Sequence, residues 1–116
     1  MITTHVLDIA LGQPARGVPV ELERAGQESV FGGSTEWQIV GSGVTDNDGR
    51  LRELTSARVE PGTYRLRFQT GAYFDGSRTR SLFPVVEIQF TVDDGAQNYH
   101  VPLLLSPFGY STYRGT

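Results

Sequence analysis

No segment of this chain repeats its apolar residues at the helical period. They come instead in short alternating runs, each closed by a turn signal. Val18, Val20 and Leu22 alternate with Pro19, Glu21 and Glu23, the pattern of a strand with one face buried and one face wet. Thr3 to Asp8, Trp37 to Thr45, Arg50 to Leu54, Thr63 to Gln69, Val85 to Val92, Gln97 to Leu105 and Tyr110 to Gly115 also read as strands. The segments between them include Gly12-Gln13-Pro14, Asp46-Asn47-Asp48-Gly49, Pro61-Gly62 and Asp93-Asp94-Gly95, residue types that supply turn geometry. The last of these predicts a hairpin between its flanking strands. Gly26 to Thr35 is polar and glycine-containing, the composition of an exposed loop. Gly71 to Leu82 has room for a helical turn, limited by Gly76 and Ser77. About eight strands in so short a chain predict an all-β sandwich with one short helix, residues 1–116 forming a single domain.

A domain of this size buries only about two-thirds of its unfolded surface. That disfavours a deep active site inside one protomer and favours one shared between subunits. The net charge is −3 and the basic residues are scattered, so no run tracks a phosphate backbone and nucleic acid is not an expected partner. No apolar stretch reaches membrane-spanning length, and the first residues lack the charged-then-apolar layout of a signal peptide. The expectation is a cytoplasmic protein that meets no membrane. Cysteine is absent, and all 10 basic residues are arginine, which removes thiolate and Schiff-base chemistry. For proton transfer near neutral pH the chain has His5 and His100 alone. Their spacing makes a poor zinc site, so no metal is expected.

Strand alternation assigns these residues to faces. His5 and Leu7 point one way, Thr4, Val6 and Asp8 the other. Tyr99, Val101, Leu103 and Leu105 form an apolar row suited to the core, which leaves His100, Pro102 and Leu104 outside. In the last strand Ser111, Tyr113 and Gly115 share a face. A histidine within an apolar outer face suggests a subunit interface or a ligand groove. On pattern alone, both histidines read equally well as ordinary surface residues, Arg50 as a solvated turn residue, Tyr113 as cross-strand packing and Arg114 to Thr116 as a frayed tail.

Three segments add to this reading. Thr3-Thr4-His5-Val6-Leu7-Asp8 with Gly12-Gln13-Pro14-Ala15, Thr45-Asp46-Asn47-Asp48-Gly49-Arg50, and Tyr99 to Pro107 followed by Tyr110-Ser111-Thr112-Tyr113-Arg114-Gly115-Thr116 stand in order along the chain. Together they resemble the transthyretin-related 5-hydroxyisourate hydrolases, across essentially the whole sequence. The resemblance implies a transthyretin-like β-sandwich and hydrolytic opening of a cyclic amide in 5-hydroxyisourate, a step of urate degradation, without a cofactor. It matches His5, Arg50 and His100 to the family's catalytic residues, and Tyr113-Arg114-Gly115-Thr116 to its terminal signature. Thr116 stands where the family has serine, keeping the hydroxyl. His5, Arg50, Tyr113, Arg114 and Gly115 are thereby implied to contact substrate, and Thr116 to assist catalysis. A homotetramer with sites between subunits is implied as well.

One histidine would act as base while Arg50, always protonated, polarises the carbonyl; which histidine does which is left open. The resemblance extends to transthyretin itself, a small-molecule carrier without catalysis. That protein has lysine, glutamate and threonine at the positions of His5, Arg50 and His100, which makes the carrier the alternative reading.

Overall fold

The computed structural model describes residues 1–26 and 36–116. The loop expected over Gly26 to Thr35 therefore lies, Gly26 apart, outside the described residues. Two sheets face each other across one apolar core. One contains β1 (Ile2–Asp8), β2 (Gln13–Pro14), β5 (Arg50–Leu51), β8 (Tyr99–Ser106) and β9 (Gly109–Thr112). The other, in the order β4-β3-β6-β7, contains β3 (Pro19–Ala25), β4 (Trp37–Val44), β6 (Gly62–Phe68) and β7 (Val86–Val92). A seven-residue helix, α1 (Thr70–Gly76), links β6 to β7. The all-β sandwich with one short helix read from the sequence is the observed architecture.

Alternation was informative because each sheet has one dry face. Along β1 the residues Ile2, Thr4, Val6 and Asp8 are buried while Thr3, His5 and Leu7 are partly exposed. On β8, Tyr99, Val101, Leu103 and Leu105 enter the core as expected. Leu22, Leu66 and Phe68 from the opposite sheet complete its centre. Leu66 is 0% exposed, so Leu66→Ala should cost about 2–5 kcal/mol in chemical denaturation, because the cavity it leaves cannot fully collapse.

The hairpin expected between Val85–Val92 and Gln97–Leu105 does not form. β7 pairs with β6 in one sheet, while β8 pairs parallel to β1 in the other. The connection is a corner between sheets. The Tyr99 hydroxyl accepts the amides of Asp93 and Asp94 there, at 3.1 and 3.2 Å. Dry rows on both strands are equally compatible with hairpin and corner, so alternation could not separate them. Gln13–Pro14, read as part of a turn, pairs with Leu7 and Asp8 as a two-residue strand, and Arg50–Leu51 is shorter than expected.

The last strand also ends early, at Thr112. Opposite the next position stands Pro102, which has no amide hydrogen, and its carbonyl accepts the Thr112 hydroxyl at 2.7 Å. The ladder resumes in the same register at Gly115, whose amide donates to the His100 carbonyl at 2.7 Å. The helix stops where Arg78 takes a left-handed conformation (φ 54°). It is tied to β1 by the Tyr73 hydroxyl, which donates to Asp8 at 2.7 Å. Burial, then the Asp8 hydrogen bond and charge, push that hydroxyl up to about 12.

The outer faces of the two sheets differ. On β3, β6 and β7 the side chains of Glu23, Arg65, Arg67 and Glu87 interlock as ion pairs. The outer face of β1 and β8 instead carries Leu7, Leu104 and the two histidines.

Candidate active site

β1 organises the site because it is paired on both edges. His5 lies opposite Arg50 of β5 on one side and Pro102 of β8 on the other. The turn that delivers Arg50 is built by Asp46, whose carboxylate accepts the amides of Asp48 and Arg50, both at 2.9 Å. The Arg50 amide hydrogen bond is the leading reason that the Asp46 carboxyl sits below its usual range. Gly49, at φ 75°, closes the turn, and its carbonyl accepts the Val6 amide at 2.8 Å. A β-carbon at Gly49 would lie 2.3 Å from the Val6 carbonyl oxygen, so both conformation and space require glycine.

Docked in this way, the turn points the Asp48 carbonyl at the His5 ring, 2.7 Å from Nε2. A carbonyl only accepts, so Nε2 of His5 carries the proton and the lone pair of the neutral ring resides on Nδ1.

His100 is fixed differently. The parallel register sets it beside Thr3, and its Nδ1 lies 2.8 Å from the Thr3 hydroxyl. The chain's last turn closes over the other edge of the ring. A β-carbon at Gly115 would come within 2.5 Å of His100 Cδ2. Burial, followed by the nearby charge of Arg50 and that of His5 when it is protonated, lowers the basicity of His100 below that of an ordinary histidine. The neutral ring is thereby favoured, and among the described residues its Nε2 makes no hydrogen bond.

These groups border an open cleft of about 600 Å³, lined by Thr3, Arg50, His100, Arg114, Gly115 and Thr116. Among the described residues, no carboxylate pairs with the Arg50 guanidinium. His5 is not among the residues that line it; its ring is turned to the Asp48 carbonyl, from the strand position opposite Arg50. Arg114 reaches the rim, but its guanidinium donates to Gln97 Oε1 and the Asn98 carbonyl and stacks 4.4 Å from the Tyr99 ring centre. Tyr113 is not brought to this cleft. It is 56% exposed and lines a separate groove with Phe90 and Tyr99.

The structure also brings in three residues that the sequence reading did not single out: Thr3, Asp46 and Asp48. Thr3 shares the outward face of β1 with His5, so alternation pointed to it, but only the parallel pairing of β1 with β8 sets it against His100.

The close fit of Gly115 makes a direct prediction. Gly115→Ala must displace the His100 ring or the tail, and kcat should fall by about 10- to 100-fold with the melting temperature nearly unchanged. Steady-state kinetics and a thermal melt measure the two quantities separately.

Comparison with known proteins places these features in context. The profile of the HIUase/transthyretin family matches residues 2–115. A 5-hydroxyisourate hydrolase from Halalkalibacterium halodurans is 45% identical over 121 residues, covering 99% of this chain and 97% of that protein. The uric acid degradation bifunctional protein of Arabidopsis thaliana is 47% identical over 124 residues, and this chain spans 37% of its length. Among solved structures, Klebsiella pneumoniae 5-hydroxyisourate hydrolase superposes with a TM-score of 0.82 at 35% identity, over 99% of this chain and 98% of that one. Sea bream transthyretin in complex with thyroxine superposes equally well, with a TM-score of 0.84 at 31% identity, over 99% and 94% of the two chains.

Proposed function

The chain belongs to the HIUase/transthyretin family, and from that premise we propose that it hydrolyses 5-hydroxyisourate to 2-oxo-4-hydroxy-4-carboxy-5-ureidoimidazoline. The fold is common to hydrolase and carrier, so the reading rests on the site. Its main support is the convergence, in one open cleft, of a guanidinium without an ion-pair partner and an imidazole with one nitrogen free of hydrogen bonds, both among the described residues.

In this reading Nε2 of His100 takes a proton from water as the water oxygen bonds to the amide carbonyl carbon. Arg50 offers its N–H fork to the oxygen that gains negative charge. When the tetrahedral species collapses, the ring C–N bond breaks and the imidazolium returns its proton to the departing nitrogen. Water is consumed, the ring opens and His100 ends as it began. No step calls for a metal or a cofactor. His5, with Nε2–H committed to the Asp48 carbonyl, offers Nδ1 as an acceptor for an N–H of the substrate and thereby orients it.

Thr116 and Gly115 line the same cleft; Gly115 is assigned to holding the substrate and Thr116 to assisting catalysis through its hydroxyl, with Arg114 at the rim. Tyr113, turned to a different groove, would reach substrate only across a subunit boundary. That fits a homotetramer with sites between subunits, as does the partly exposed apolar pair Leu7 and Leu104 beside the histidines.

Following the ultraviolet absorbance of freshly generated 5-hydroxyisourate tests this reading. Accelerated decay supports it. Saturable binding without turnover would instead favour a carrier.

A further inference from the structure

Thr3 and Thr4 are adjacent on β1, yet their hydroxyls serve different ends. Thr4 faces the core, and its hydroxyl donates to the Val101 carbonyl at 2.6 Å, a buried tie between neighbouring strands. Thr3 faces outward and lines the cleft. Among the described residues its hydroxyl bonds to one group, Nδ1 of His100 at 2.8 Å. A hydroxyl carries one hydrogen and two lone pairs, so it can donate to a bare Nδ1 or accept from a protonated one. The carbonyl that holds His5 has no such freedom. Of the two histidines, only His100 is held by a partner that can serve either neutral tautomer of the ring.

We propose that Thr3 is a positioning residue for the ring opening assigned above: its hydroxyl accepts from Nδ1–H of His100, keeps Nε2 bare for the reacting water, and holds that same hydrogen bond while the imidazole gains and returns a proton at Nε2. This rests on the hydrolase reading. When water attacks the carbonyl carbon, Nε2 receives its proton and Nδ1–H must be the donor to Thr3 Oγ1. In the resting neutral ring with a bare Nε2, the same arrangement already holds. A neutral ring that carries its hydrogen on Nε2 is served by a half-turn of the hydroxyl. The charged and titratable groups facing His100 are His5 on β1, Arg50 on β5, Arg114 after β9 and the Met1 amine, which is bound to the Ala57 and Gln97 carbonyls. None of them contributes an acceptor to Nδ1.

Thr3→Val keeps the β-branched shape and removes the hydroxyl, while Thr3→Ser keeps the hydroxyl. For T3V, kcat should fall about 10- to 100-fold with KM changed by less than about threefold, because the loss concerns the reacting geometry and not ground-state binding. T3S should recover to within about threefold of the parent. The second readout is NMR titration of the His100 ring. Without an acceptor for Nδ1–H the imidazolium is less stable, so its midpoint should move to lower pH in T3V and stay in place in T3S.

A lowered kcat with an unmoved midpoint would mean that Thr3 merely packs, and parental values of both would remove any role; either result overturns the proposal. Parent protein with no effect on substrate decay would sink the ring-opening reading itself, and is seen in the same experiment before any variant is compared.

Discussion

His100→Asn is expected to lower kcat for ring opening by about 10²–10⁴-fold, the range typical of a lost general base. Asparagine keeps a polar group facing Thr3 and matches the half-buried outer face, so the melting temperature should stay close to that of the parent. The variant also has no titrating ring. In the parent, turnover should fall as the pH drops through the depressed midpoint of His100, since only the neutral ring can accept a proton. Its residual activity in His100→Asn should lack that acid limb.

The sign of the stability effect follows from the same depression. The folded protein binds fewer protons at His100 than the unfolded chain, so the linked stability is intact above the ordinary histidine pKa and diminishes as the pH falls below it. Removing the ring should abolish that part of the acid sensitivity. Turnover of His100→Asn near the parental rate would be incompatible with His100 as the base.

Arg50→Gln is expected to lower kcat/KM by about 10²–10³-fold, as does loss of a donor aimed at a developing oxyanion. A second consequence is electrostatic. The Arg50 charge is one of the causes of the weak basicity of His100, after burial, so its removal should move the acid limb toward higher pH. Arg50→Lys separates the two functions. It restores the charge and hence the position of the limb, but an ammonium lacks the planar fork and should recover only part of the rate. If Arg50→Gln altered KM alone, the guanidinium would be holding substrate without stabilising the transition state.

Much of this was legible in the sequence because the relevant side chains lie on strands with one dry face. Alternation along Gln97 to Leu105 assigned His100 to the outer surface before any topology was known, and it sits there; along Thr3 to Asp8 it separated His5 and Leu7 from Thr4, Val6 and Asp8 without saying which side was dry. Pairing was a different matter. Whether β7 turns back onto β8 or crosses to the other sheet depends on which dry rows meet across the core, a long-range choice with no local signature. The placement of Thr3 against His100 follows from that crossing. The fate of Tyr113 hinged on one residue: Pro102 interrupts the ladder opposite it, so the alternation of the last strand could not be extended to the tail. Gly115 was legible as part of a terminal motif, but its reason, the space taken by the His100 ring, is visible only in three dimensions.

A structure of the protein bound to a urate-like ring that cannot be opened tests the central claim most directly. The ring is expected in the cleft of about 600 Å³, with an oxygen accepting from the Arg50 guanidinium and the scissile carbonyl carbon facing His100 Nε2 across the space of one water. A ring seated elsewhere, such as the groove beside Tyr113, with His100 and Arg50 untouched in every subunit, would contradict the account.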